Sequence, residues 1–257
     1  MNKLPILLML VVLATTGCSR DKSVETGATP ARYPVAFSFT ASVKGQPLVF
    51  NTATYTNDLG ENYNIRTFRY YISNISLSNS ANGNSATAEG EYFLIDAGKE
   101  ESTHITTQFP AGTYNKLRFL VGVDSTRNVS GAQTGALDVA NGMFWSWNSG
   151  YVMAKLEGSS PVAPPPTNEF TYHIGGFRVV ESTLRWIEFT LPPGSEITVG
   201  PSSSAELVVN ADVNHWFTGV HDLPISAVGF VHSPGDLAMK YADNYAQMFT
   251  LIHSANP

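Results

Sequence analysis

The run Gly142-Met143-Phe144-Trp145-Ser146-Trp147-Asn148-Ser149-Gly150-Tyr151 sets two of the chain's four tryptophans two positions apart, with no Lys, Arg, Asp or Glu among them. On a β-strand that spacing puts both indoles on one face. Three roles are open to such a pair. Large rings fill cores, where the area they bury dominates the energetics. Electron-rich indoles can also be substrates for oxidation, or contribute to a metal site.

Imidazole is the other group with ligand chemistry, carried by His104, His173, His215, His221, His232 and His253. It suits copper, zinc or iron, so two or three histidines gathered by a β-fold would make a metal site without cysteine. His173 is the best placed. It lies near the end of the apolar run Phe170–Ile174 and beside Gly175-Gly176, where backbone or ligand can approach closely. His232 precedes a C-terminal helical stripe and His253 follows it, where the helix dipole alone would favour a histidine. Oxygen ligands offer a calcium option at Asp212, which alternates with Asn210 and Asn214, and at Asp124. The Asp212 run lacks the glycine and distal glutamate of an EF-hand loop. A solvated strand face for Asp212 and turn capping for Asp124 explain these residues as well.

Other chemistries have no motif. There is no Gly-x-Ser-x-Gly elbow, His-Glu-x-x-His, Cys-x-x-Cys-His, P-loop or dinucleotide glycine fingerprint. Nothing pairs a nucleophile with a base, so the chain reads as a binding protein and not an enzyme. A net charge of −6, charged residues at 14% and the lack of any Lys/Arg cluster exclude nucleic acid as a partner.

The elements that must position these residues are mostly strands. Tyr33–Phe39, Phe68–Leu77, Glu91–Ile95, Tyr114–Val123, Tyr151–Leu156, Phe170–Ile174, Leu184–Leu191, Glu196–Val199 and Glu206–Ala211 carry aromatic and β-branched residues between Gly, Pro and polar punctuation. Alternation in Phe68–Leu77 is loose. The prolines at 161, 164, 165 and 166 make Ser159–Glu169 an exposed loop. Near the end, Ser233 as N-cap, Pro234 at the first helical position and Asp236 open a helix. Its stripe Leu237, Tyr241, Tyr245, Met248, Phe249 and Ile252 faces the core. The expected fold is mainly β: an antiparallel β-sandwich or partly open barrel with one C-terminal helix packed on it.

The N-terminus reads as an export signal. Lys3 is followed by the apolar run Leu4–Leu13, too short to span a bilayer core. Gly17-Cys18 then resembles a bacterial lipoprotein box, with Thr15 where Leu is usual; an ordinary secretory signal with an incidental cysteine is the alternative. Residues 1–17 are thus the signal peptide and residues 18–32 a lipid-anchored flexible tether, since Ser19–Arg32 has almost no large apolar residue to bury. Residues 33–257 form the β-rich domain. With Cys18 the only cysteine, no internal disulfide can form. The expected location is the bacterial cell envelope, periplasmic or at the outer-membrane surface, with membrane contact through the lipid anchor only.

Several segments together resemble the copper-binding MbnP-like family. They are Tyr70–Ile75, Pro110–Tyr114, Gly122-Val123-Asp124, Gly142–Tyr151, Lys155–Gly158, Tyr172–Gly176 and Ala242–Phe249, spread in order over most of the chain from Phe68 to His253. The resemblance implies an exported copper-binding protein for acquisition, storage or delivery of copper. In some relatives a tryptophan is converted to kynurenine, attributed to a partner di-haem enzyme of the MauG type, and the resemblance carries that modifiable position over to Trp145 or Trp147. Opening the indole exposes an aryl amine and a carbonyl, whereas intact tryptophan offers only an N–H donor. The same resemblance makes His173 and His253 the best-matched copper ligands, with His232 behind them. The family's histidine-rich C-terminal end is reduced here to His253-Ser254-Ala255. A metal-free adhesion or carbohydrate-binding sandwich, with the tryptophan pair stacking on a sugar ring, is the alternative function, and an enzyme with an unrecognised site is the third.

The lipoprotein reading has a direct test. Mature protein should partition into the detergent phase, and Cys18→Ala should abolish that partitioning. Equal partitioning of the two proteins would leave Cys18 without an anchoring role.

Overall fold

The computed structural model describes residues 30–88, 90–131, 133–146, 149–203 and 205–255, with the side chains of 253–255 outside the description. The signal peptide, Cys18, most of the tether and Trp147 lie outside the described residues. In chain order the strands are β1 (Arg32–Val43), β2 (Gln46–Pro47), β3 (Tyr55–Thr56), β4 (Asn62–Ser78), β5 (Ser85–Thr87), β6 (Tyr92–Asp96), β7 (His104–Pro110), β8 (Gly112–Tyr114) and β9 (Lys116–Val121). They continue with β10 (Phe144–Ser146), β11 (Gly150–Ser159), β12 (Glu169–Gly175), β13 (Arg185–Thr190), β14 (Ile197–Val199), β15 (Ala205–Asp212), β16 (Phe230–Val231) and β17 (Phe249–Ala255). Short helices α1 (Glu100–Thr103) and α2 (Ser125–Asn128) precede the longer α3 (Asp236–Tyr245).

Two curled sheets enclose the main core. The larger runs β13-β9-β4-β11-β12-β16, with β10 added to β11 and β3, β5 and β6 added to β4. The smaller runs β17-β15-β1-β2, with β7 also on β1. The sandwich expectation holds, and most pairs are antiparallel. Two are parallel: β1 with β15 and β12 with β16. Arg32 opens β1, and its guanidinium donates to the carbonyls of Thr87 and Gln108.

Loose alternation in Phe68–Leu77 has a structural cause. Tyr70 and Ile72 point into the main core, and so do Ile75 and Leu77, a change of parity. The change occurs at a register shift between Ser73 and Ser76, where Asn74 takes φ 52°. A bulge of this kind inserts a residue and turns the strand's faces over. Tyr71 points the other way, into a second cluster with Val123, Leu137, Met143, Tyr151, Val152 and Met153.

The C-terminal helix is shorter than its stripe suggests. Its N-cap is Gly235, at φ 138°, and not Ser233; the glycine's conformation lets the chain enter the helix at Asp236. Tyr241 and Tyr245 pack on Tyr172 and Trp216, with ring centroids 4.6 and 5.6 Å apart. Arg185 of β13 holds the helix from outside through Asp243, at 2.7 Å. After a 3₁₀ turn at Ala246–Met248 the chain becomes β17, paired antiparallel with β15. Phe249 and Ile252, expected on the helix, are therefore strand residues, and Ile252 is exposed. Pairing with β15 overrides a spacing that happens to fit the helical period.

Leu156, fully buried on the inner face of β11, lies back to back with the polar face described next. Leu156→Ala should cost about 2–5 kcal/mol of stability. Urea unfolding would measure it, and a loss below about 1 kcal/mol would show that this core collapses to fill the cavity.

Candidate metal centre

Antiparallel pairing fixes which side chains share the outer face of the large sheet. Lys155 of β11 lies opposite His173 of β12 and opposite Arg69 of β4. Glu157 lies opposite Thr171 and Thr67. Because side chains alternate along a strand, Arg69, Thr67, Lys155, Glu157, Thr171 and His173 form one polar field behind the buried Phe68, Leu156 and Tyr172. β16 brings Phe230 against Thr171, and His232 follows directly.

Two histidines meet there. The rings of His173 and His232 stack with centroids 4.3 Å apart and planes inclined by 23°. His173 Nε2 lies 2.7 Å from Glu157 Oε1, each side chain being only 19% exposed. Thr67 Oγ1 donates to the other oxygen, Oε2, at 2.9 Å. These contacts hold the Glu157 carboxyl down at about 2, the His173 bond being the largest cause. Burial pushes the His232 imidazole below its ordinary value, and the neighbouring His173 adds to this. His232 thus tends to stay neutral with a lone pair to offer, while Glu157 is an ionised anchor. Lys155 is lowered by burial, opposed by Glu157.

Trp145 belongs to the same face. It packs, partly buried, on the second cluster. Its ring rests on Gly175, two residues beyond His173 on the same side of β12. A Cβ at Gly175 would come within 2.7 Å of both Trp145 Cζ3 and the Tyr151 carbonyl, so only glycine admits this approach.

The donor chemistry fits copper: two imidazoles beside a carboxylate. Imidazole lone pairs lie in the ring plane, so near-parallel stacked rings do not converge on one ion; joint ligation needs one ring to rotate. With Nε2 held by Glu157, His173 would ligate through Nδ1. That arrangement, a ligand imidazole braced by a carboxylate, is common in metal sites. Among the described residues no group of three or more His, Cys, Asp or Glu side chains is arranged to hold a metal.

The remaining sequence candidates lie elsewhere. His253 sits on β17 opposite Val208, in the other sheet, with its side chain outside the description. Asp124 caps α2 by accepting from the Arg127 N–H at 3.0 Å, and also accepts from Asn74 and the Tyr92 hydroxyl. Asp212 accepts from the N–H groups of Lys44, Gly45 and Asn214. Both carboxylates thus receive several N–H donors. Of the other histidines, His104 bonds Ser38 and His221 bonds Asp243. Glu157 and Lys155 escaped the sequence reading as site residues. Their signal was present: Lys-x-Glu in an otherwise apolar strand puts two charges on one face.

Residues 32–233 match the model of the MbnP family. The chain belongs to the MbnP family. Its fold is similar to that of MbnP from Methylosinus trichosporium, with a TM-score of 0.54 and 17% identity, over 75% of this chain and 80% of that one. A comparison with curated proteins finds no match. The matched segment contains Trp145, Lys155, Glu157, His173 and His232 and stops before α3 and His253.

Acid should expose the role of Glu157. Its pKa is about 2 in the fold against an ordinary 4.5, so its contribution to stability is complete above 4.5 and fades as pH falls toward 2. Glu157→Gln should therefore flatten the dependence of unfolding free energy on pH across that window. Parallel curves for variant and parent would remove Glu157 from the acid response.

Proposed function

We propose that this MbnP-family member is an exported copper-binding lipoprotein, without catalytic activity of its own, that takes up, stores or delivers copper at the cell envelope. The observation that carries the reading is the stacked His173–His232 pair braced by Glu157, within the family segment and on the face that holds Trp145. His173 and His232 are the ligands. Glu157 orients His173 and keeps it electron-rich. Family resemblance supplies the identity of the metal. Ligand chemistry makes it sensible, since imidazole prefers copper or zinc to calcium.

Conversion of Trp145 or Trp147 to kynurenine by a di-haem partner fits the same reading. At Trp145 the new aryl amine and carbonyl would arise close to the histidine pair, giving the site lone pairs that an indole lacks. The sugar-platform alternative draws less support, because the Trp145 ring already rests on Gly175 and the second cluster. Peptide mass spectrometry after co-expression with a di-haem peroxidase would reveal the modification as a gain of two oxygen atoms and loss of CO.

Copper titration tests the ligands. His173→Ala and His232→Ala should each abolish tight binding, and Glu157→Gln should weaken it about 10–100-fold, the usual cost of losing such a brace. Binding should also weaken as pH falls through the histidine range, because a protonated imidazole has no lone pair. Wild-type protein that binds no copper at neutral pH, with or without oxidised tryptophan, would end this reading.

A further inference from the structure

The tryptophan hairpin is held at its start as well as at its ring. The 3₁₀ turn Val139–Asn141 ends in Gly142, which takes a left-handed conformation at φ 67°. A turn of this kind leaves carbonyls pointing out at its C-terminal end, the negative end of its dipole. Two cations from adjacent strands meet those carbonyls. Lys155 Nζ donates to the Gly142 oxygen at 2.6 Å, and an Arg69 guanidinium nitrogen donates to the Asn141 oxygen at 3.3 Å. Lys155 is 9% exposed, so its ammonium has given up most of its water for this contact.

Two like charges, directly opposite each other on β4 and β11, repel. Their placement makes sense as a clamp, each cation satisfied by a carbonyl of the same turn, with Asp96 at 2.9 Å from Arg69 and Glu157 two residues from Lys155. From Gly142 the chain runs through the fully buried Met143, whose carbonyl accepts from the Val152 N–H at 2.9 Å, into Trp145. Lys155 therefore stands between the two parts of the site. Its backbone is paired with His173, and its side chain holds the segment that delivers Trp145.

We propose that Lys155 is a positioning residue: its hydrogen bond to the Gly142 carbonyl holds the Gly142–Trp145 segment in place, with the Trp145 ring against Gly175 beside the histidine face. The functional importance of that placement rests on the copper reading above; the placement itself does not. Without the donor, the Gly142–Trp145 segment loosens and Trp145 leaves Gly175. Lys155→Met keeps the aliphatic stem and removes the donor, whereas Lys155→Arg keeps one.

The test is hydroxyl-radical footprinting of the full metal-free chain, with oxidation at Trp145 read by peptide fragmentation. The fully buried Trp216 serves as the control for global folding. A hydrogen bond to a charged group is strong enough that its loss should raise oxidation of the partly exposed Trp145 about threefold in Lys155→Met, with Trp216 still protected. Lys155→Arg should stay near wild type. If Trp216 also becomes reactive in Lys155→Met, Lys155→Gln is read in its place with the same expectation. Unchanged Trp145 oxidation in a folded variant, or equal loosening in Lys155→Arg, overturns the clamp. Failure of wild-type protein to bind copper would leave these rates untouched, so the two readings fail separately.

Discussion

Strand β4 serves two cores at once through its alternating faces, and the bulge at Asn74 turns its later residues back toward the main one. Before the bulge, Phe68, Tyr70 and Ile72 feed the main core while Tyr71 feeds the second cluster. After it, Ile75 and Leu77 return to the main core. Ser73, fully buried at the change-over, donates to the Gly122 carbonyl at 2.8 Å, so the irregular backbone leaves this hydroxyl paired. The second cluster supports the 134–146 segment from below. Without it there would be no platform for the Gly142 turn or for Trp145.

Electrostatics on the outer face follow from that platform. Glu157 is an ionised carboxylate among Lys155 and His173, on a strand whose other face is fully apolar. Such a group persists in a partly dry place only because its oxygens are bonded, here by His173 and Thr67. His232 is then the member of the cluster that burial keeps neutral. One anion thus braces a histidine, while a second histidine remains a free base. The division of labour comes from position, since the two imidazoles are chemically identical.

Much of this was legible in the chain. Strands with aromatic and β-branched residues were found because each buries at least one face, and His173 stood out for its place beside two glycines. Trp145 announced itself by its neighbours. What was not legible depended on partners distant in sequence. β7, with Ile105, Thr107 and Phe109 alternating inward, carried a strand signal, but its partner β1 lies about 70 residues upstream and no local pattern names it. Phe249 and Ile252 fit a helical stripe until β15 recruits them. The meeting of His173 with His232, far apart in the chain, needs the parallel pairing of β12 with β16, for which no local pattern exists. Asp124 and Asp212 looked like oxygen ligands; local capping of Arg127 and Asn214 is joined by donors distant in sequence, Asn74 and Tyr92 for the first and Lys44 and Gly45 for the second.

The parallel pairing of β1 with β15 also says something about time. Ser38 and Glu206 hydrogen-bond across 168 residues, and β1 lies between β7 and β15. β2 and β7 can pair with β1 early, but its edge toward β15 closes only when most of the chain exists. Long-range closure of this kind slows folding, since the loop entropy is lost before the contacts form. The portion already made cannot finish the small sheet by itself, and the sheet completes only once β15 has followed.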